Sequence, residues 1–104
     1  MTLLLVIHRP EGLPEGHPGS LAEMRAAVRD AIWEVADAHW ALGEDSVLVS
    51  TDLSPSYMVS HFQRALKRRG YTESGLLVVT SVGPKAAWSG LPPEAEAWLR
   101  DALA

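Results

Sequence analysis

Two stretches of the chain are apolar runs without regular alternation of apolar and polar residues. They are residues 2–8 (TLLLVIH) and residues 75–82 (GLLVVTSV). A strand with a continuous apolar run is typical of a sheet that is covered on both faces. A third run, residues 46–51, is shorter and rich in β-branched side chains, which favours another strand. The pattern therefore predicts three strands.

Apolar residues at three- and four-residue spacing predict three helices. Ser20 and Glu23 match a capping box, and the apolar stripe after them continues to Gly43, which indicates a first helix of about 22 residues. Ser54 and a following proline open a second helix that ends at Gly70, and two prolines before Glu94 open a third. Residues 9–19 hold three prolines and three glycines and predict a long loop.

The predicted order is β-α-β-α-β-α within a single domain of 104 residues. Strands separated by helices are normally joined by crossovers that make them parallel. We therefore predict a small three-layer sandwich with a three-stranded parallel sheet. The alternative is a ferredoxin-like α+β fold, which requires a fourth strand that the pattern does not show between residues 51 and 75.

Composition excludes several classes of function. The chain is 47% hydrophobic and 21% charged with a formal net charge of −4, which is typical of a soluble globular domain. The apolar run from Leu3 to Ile7 is far shorter than the roughly 20 residues of a membrane span, so we expect a cytoplasmic protein without a membrane partner. There is no cysteine, no phosphate-binding glycine motif and no metal-ligand spacing among the four histidines, so we expect no cofactor and no metal.

Ligands bind open parallel sheets at the carboxyl ends of the strands. Polar residues follow all three predicted strands, and they are the candidate ligand-binding set: His8, Arg9, Thr51, Asp52, Ser54, Ser81 and Lys85. Arg9, Lys85 and the start of the second helix together favour a small anionic, phosphate-like ligand. Ser54 is also typical of a helix N-cap, and Asp52 of a turn.

Three functions remain open. The favoured one is a binding or interaction module that self-associates as a dimer, because four tryptophans exceed what a small core buries and the sheet has two free edges. An edge strand, or a surface of the first or third helix, is the expected interface. The alternative is an enzyme or regulatory domain that binds the anion, with His8 and Asp52 as acid–base groups. Nucleic-acid binding through Arg64, Lys67, Arg68 and Arg69 is less favoured, because cations also complement the carboxyl end of a helix.

Overall fold

A computed structural model of the chain describes residues 2–10, 21–71, 75–83 and 87–103. Its elements are β1 (Thr2–Arg9), α1 (Leu21–Val35), β2 (Ala38–Ala41), β3 (Ser46–Thr51), α2 (Pro55–Arg68), β4 (Leu76–Ser81) and α3 (Pro93–Leu103). Most of the predicted loop at residues 9–19 lies outside the described residues. No helix within the described ranges is long and apolar enough to cross a membrane.

The four strands form one sheet in the order β2-β3-β1-β4, and every neighbouring pair is antiparallel. The prediction of a three-stranded parallel sheet is therefore wrong, and the ferredoxin-like α+β alternative fits this topology. Each helical crossover does join parallel strands, β1 to β2 and β3 to β4. A third strand lies between the members of each of these pairs, so that neighbours in the sheet run in opposite directions.

The missing strand, β2, lies in the segment that the sequence pattern assigns to the end of the first helix. α1 ends at Val35, and the N–H of Asp37 already donates to the carbonyl oxygen of Ser50 on β3 at 2.8 Å. The strand reads Ala-His-Trp-Ala, which carries no strong local preference for a strand. Pairing with β3 therefore decides its conformation, and the described residues between 51 and 75 contain no further strand.

Two apolar cores cover the two faces of the sheet. The larger one lies under α1 and α2 and contains Leu4 and Val6 of β1 together with Met24 and Phe62. The smaller one lies under α3 and contains Leu3, Leu48 and Leu99. Successive residues of β1 thus enter opposite cores, which explains why the first strand is apolar without alternation.

The second helix begins as its local sequence predicts. Ser54 is the N-cap, its Oγ accepts the N–H of Tyr57 at 3.2 Å, and Pro55 occupies the first turn. The buried face of α2 consists of Met58, Phe62, Ala65 and Leu66. The capping role of Ser54 is confirmed, because the hydroxyl satisfies one of the free N–H groups of the helix start.

Candidate functional site

The predicted ligand-binding residues lie at two opposite ends of the sheet. β1 runs against β3 and β4, so Thr2 pairs with Thr51, Leu4 pairs with Ser81, and Ile7 pairs with Ser46. Thr51, Asp52, Ser54 and Ser81 are therefore at one end and His8 and Arg9 at the other, about 20 Å away for six residues of strand. Lys85 lies outside the described residues. The described members of this set are therefore not brought together, because the set was chosen for parallel strands.

The distance also separates the pairs on which the enzyme and anion hypotheses depend. His8 and Asp52 lie at opposite ends of antiparallel strands, so they cannot act on one substrate atom. Arg9 is equally remote from the start of α2, where the N–H of Tyr57 is already bonded to the hydroxyl of Ser54. Among the described residues, His8 and Asp52 do not come together as an acid–base pair, and Arg9 does not approach the start of α2.

Thr51 has a structural role at its end of the sheet. Its side chain is 1% exposed, and its hydroxyl donates to the carbonyl oxygen of Val35 at 3.0 Å. The hydroxyl oxygen of Thr51 also accepts the N–H of Leu53 at 3.3 Å. Thr51 thereby satisfies a carbonyl group in the last turn of α1 and joins that turn to the end of β3.

At the opposite end, Asp45 lies between two arginines. The Nη2 atom of Arg25, on α1, donates to Oδ1 of Asp45 at 2.9 Å, and the Nε atom of Arg9 lies 3.8 Å from Oδ2. The backbone N–H of His8, a buried residue, donates to the carbonyl oxygen of Asp45 at 2.8 Å. Glu44 is also close, with Oε2 3.6 Å from Nη1 of Arg25. The turn between β2 and β3 thus places two carboxylates next to arginines of α1 and β1.

A cavity of about 380 Å³ lies beside these groups, between α1 and the strands β1, β2 and β3. We call it the Arg25 cavity, because Arg25 and Asp45 form part of its wall. The remainder of the wall is largely aliphatic, and three alanines contribute to it: Ala22, Ala26 and Ala41. Small side chains on both the helix and the edge strand leave the space open. A volume of this size is within the range that holds small molecules in proteins.

An aromatic cluster forms the rim of the Arg25 cavity. Trp33 is 55% exposed and its ring stacks against that of His39, with the ring centres 5.9 Å apart and an interplanar angle of 26°. The guanidinium carbon of Arg29 lies 5.6 Å from the centre of the Trp33 ring. All three residues line the cavity. The rim therefore offers flat, polarisable surfaces at the entrance.

The second exposed apolar surface is the free edge of the sheet. β4 pairs only with β1 among the described strands, and Leu76 and Val78 on it are 50% and 41% exposed. The N–H of Val82 donates to the carbonyl oxygen of Leu3. In an antiparallel ladder, the backbone groups of every second residue bond to the same neighbouring strand, so those of every second residue before Val82 also face β1. The N–H and C=O groups of Leu77, Val79 and Ser81 consequently point away from the sheet.

The basic residues of α2 are partly engaged within the chain. Arg69 forms an ion pair with Asp30 of α1 at 3.1 Å, and the guanidinium of Arg64 lies 5.3 Å from the centre of the Tyr57 ring. Lys67 and Arg68 occupy the last turn, where positive charge complements the helix dipole. These contacts favour the structural role of the basic cluster.

Comparison of the chain with protein-family models, with curated proteins and with solved structures gives no match. Among the described residues, no three histidine or carboxylate side chains come together as a metal site.

Sequence reasoning missed Arg25, Asp45, Trp33 and His39. In the sequence, Asp45 belongs to a polar turn and Arg25 to the polar side of the first helix, so each has an ordinary explanation. The alternation of alanines with arginines in residues 22–29 is the one available signal, because small residues beside arginines leave room next to a charge.

Proposed function

We propose that the protein is a small interaction module that forms a homodimer by pairing the β4 strands of two copies. The observation that carries the proposal is that this edge of the sheet is apolar and unprotected. β4 is six residues long and contains neither a charged residue nor a proline, and Leu76 and Val78 are exposed on it. Natural proteins protect edge strands with charge, proline, bulges or short length, since an unprotected edge pairs with other strands.

The other edge of the sheet differs in a way that favours β4 as the interface. β2 has only four residues, and a short strand offers few backbone groups to a partner. The inner side of α3 is engaged as well, because Leu99 packs in the smaller core and Trp98 packs against it. Of the interfaces that the sequence suggested, the edge strand is therefore the best supported.

Two copies of β4 fit each other about a twofold axis at Val79. Antiparallel pairing places Val79 opposite Val79 of the second copy and Leu77 opposite Ser81 of the second copy. The outward groups of these residues would then form about six backbone hydrogen bonds, two for each of the three residue pairs. Leu76 comes opposite Val82 of the second copy, which removes exposed apolar surface from water on both sides of the axis.

The four tryptophans give weaker support for self-association than the sequence alone suggested. Trp33 reaches the surface as predicted, whereas Trp88 and Trp98 are half-buried against the smaller core of the same chain. The alternative function, binding of a phosphate-like ligand, has less support, because Arg9 and the start of α2 lie at opposite ends of the sheet. The cytoplasm remains our proposed location for the dimer.

Sedimentation velocity over a range from micromolar to sub-millimolar concentration tests the proposal. We expect a species of twice the 11.3 kDa chain mass. The variant Val78→Lys introduces like charges near the twofold axis and should raise the dissociation constant at least about tenfold, which corresponds to about 1.4 kcal/mol.

The matched control is Leu42→Lys, because Leu42 is 43% exposed and lies beside β2 at the opposite edge of the sheet. It should leave the dimer intact. A wild-type chain that sediments at 11.3 kDa throughout the range overturns the proposal. So does a dimer that Leu42→Lys dissociates and Val78→Lys does not.

A further inference from the structure

Arg25, which lines the Arg25 cavity, carries a buried donor that self-association does not use. The Nε atom of Arg25 is buried, and among the residues that the structure describes none accepts its N–H. The two terminal nitrogens of the same side chain are directed to Asp45 and Glu44. A buried donor without an acceptor costs about 1–3 kcal/mol, and an acceptor on a ligand that reaches Nε would offset this cost.

An acceptor stands next to this donor. Asp45 also lines the cavity, and its carboxylate is held in place by Arg25 at 2.9 Å and by the more distant Arg9 at 3.8 Å. Each carboxylate oxygen accepts more than one hydrogen bond. The wall therefore presents a donor and an acceptor side by side, which is complementary to a ligand edge with an acceptor beside a donor.

The charges around the cavity argue against a simple anion. Arg25 and Arg29 are balanced by Glu44 and Asp45 in the same wall, so the formal sum is zero with neutral histidines. Phosphate or a carboxylate would approach Arg25 against the repulsion of two neighbouring carboxylates. A neutral ligand avoids that repulsion and still satisfies Nε.

The rim indicates the shape of the ligand. Trp33 stacks on His39 and lies near Arg29, and its side chain is still 55% exposed at the entrance; aliphatic side chains such as Val6 and Val47 line the interior. Planar rings bind such surfaces through stacking and through burial of apolar area. A flat molecule of nucleobase or nucleoside size is consistent with about 380 Å³.

We infer that the Arg25 cavity binds a neutral, planar heteroaromatic molecule with a lactam edge. Its carbonyl oxygen accepts from Nε of Arg25, its ring N–H donates to Asp45, and its ring lies along the aliphatic wall toward Trp33. Purine and pyrimidine bases with a carbonyl group next to a ring N–H belong to this class. The cavity and the β4 edge are on different parts of the domain, so this inference stands apart from the proposed dimer.

Proton–nitrogen NMR titration with guanosine tests the inference, because guanosine carries the lactam edge. We expect saturable shifts of the Arg25 Nε–H and Trp33 indole N–H signals. Purine riboside has the same ring system without the lactam edge and should bind at least about tenfold more weakly, a difference of about 1.4 kcal/mol. Inorganic phosphate should leave both signals unchanged.

Three variants locate the site. Arg25→Lys keeps the positive charge but lacks Nε, and Ala26→Leu keeps Arg25 but fills part of the cavity, so both should abolish the guanosine-induced shift of Trp33. Arg64→Lys on α2 should bind like the wild type. Absence of any shift, equal shifts with phosphate, or binding that survives in both Arg25→Lys and Ala26→Leu overturns the inference. Sedimentation velocity tests the dimer in a separate experiment.

Discussion

A Cβ atom on Gly75 would lie 2.5 Å from the carbonyl oxygen of Arg9, because the entry to β4 passes directly against the end of β1. Gly75 has a φ of +71°, a conformation that costs other residues about 1–2 kcal/mol. We therefore expect Gly75→Ala to lower the free energy of unfolding by at least about 2 kcal/mol in urea titrations.

Gly43→Ala is the matched control for this prediction. Nothing lies within 4 Å of a Cβ built at Gly43, and its φ is not positive. The change should alter the free energy of unfolding by less than about 0.5 kcal/mol. Equal effects of the two substitutions would show that the close approach of Gly75 to Arg9 does not constrain the fold.

The hydroxyl of Thr51 joins α1 to β3, and its removal should be costly. Thr51→Val preserves the shape of the side chain but leaves the carbonyl oxygen of Val35 without this donor. We expect a loss of about 1–3 kcal/mol in the free energy of unfolding. Thr51→Ser retains the hydroxyl and should lose less. A valine variant as stable as the serine variant would contradict the role given to this hydrogen bond.

Amide hydrogen exchange distinguishes the two sides of β4. In the proposed dimer, the outward N–H groups of Leu77, Val79 and Ser81 are bonded to the second copy. Their exchange should be fast at dilutions at which the chain is monomeric and slow at high concentration. The N–H groups of Val78 and Thr80 face β1 and should be protected at both. Outward amides that exchange equally fast at all concentrations would argue against strand pairing.

The basic end of α2 should not bind nucleic acid. Arg69 is paired with Asp30, Arg64 lies over Tyr57, and the chain carries a net charge of −4. An electrophoretic shift assay with mixed RNA and DNA at low salt should therefore show no complex. Salt-sensitive binding that disappears in the double variant Arg64→Ala, Arg68→Ala would show that this cluster is a functional surface.

Local signals in the sequence were sufficient for part of the fold. The serine–proline pair at the start of α2 acts through contacts within one turn, so the helix start is readable without any tertiary information. The apolar runs of β1 and β4 likewise indicate strands directly. β2 was missed because Ala38–Ala41 has no strong preference of its own, and without it the predicted directions of β3 and β4 relative to β1 were wrong.

The candidate site was less accessible to sequence reasoning. Arg25 and Asp45 are 20 residues apart and meet only because β2 and β3 turn back over the start of α1. His8 was predicted to be a site residue because it lies at the end of its strand, and it does line the Arg25 cavity. Its predicted neighbours, Thr51 and Ser81, followed from the direction of strands that in fact run the other way.

The central position of β1 has a consequence for how the chain folds. Its partners are β3 and β4, and the pairing of Leu4 with Ser81 closes a loop that spans most of the described chain. Contacts of such high sequence separation slow folding, since loop closure precedes any gain from pairing. Among the described strands, β1 is synthesised before β3 and β4 is synthesised after both. Until then a strand that is apolar on both faces has one partner at most, so we expect premature termination before β4 to yield an aggregating product.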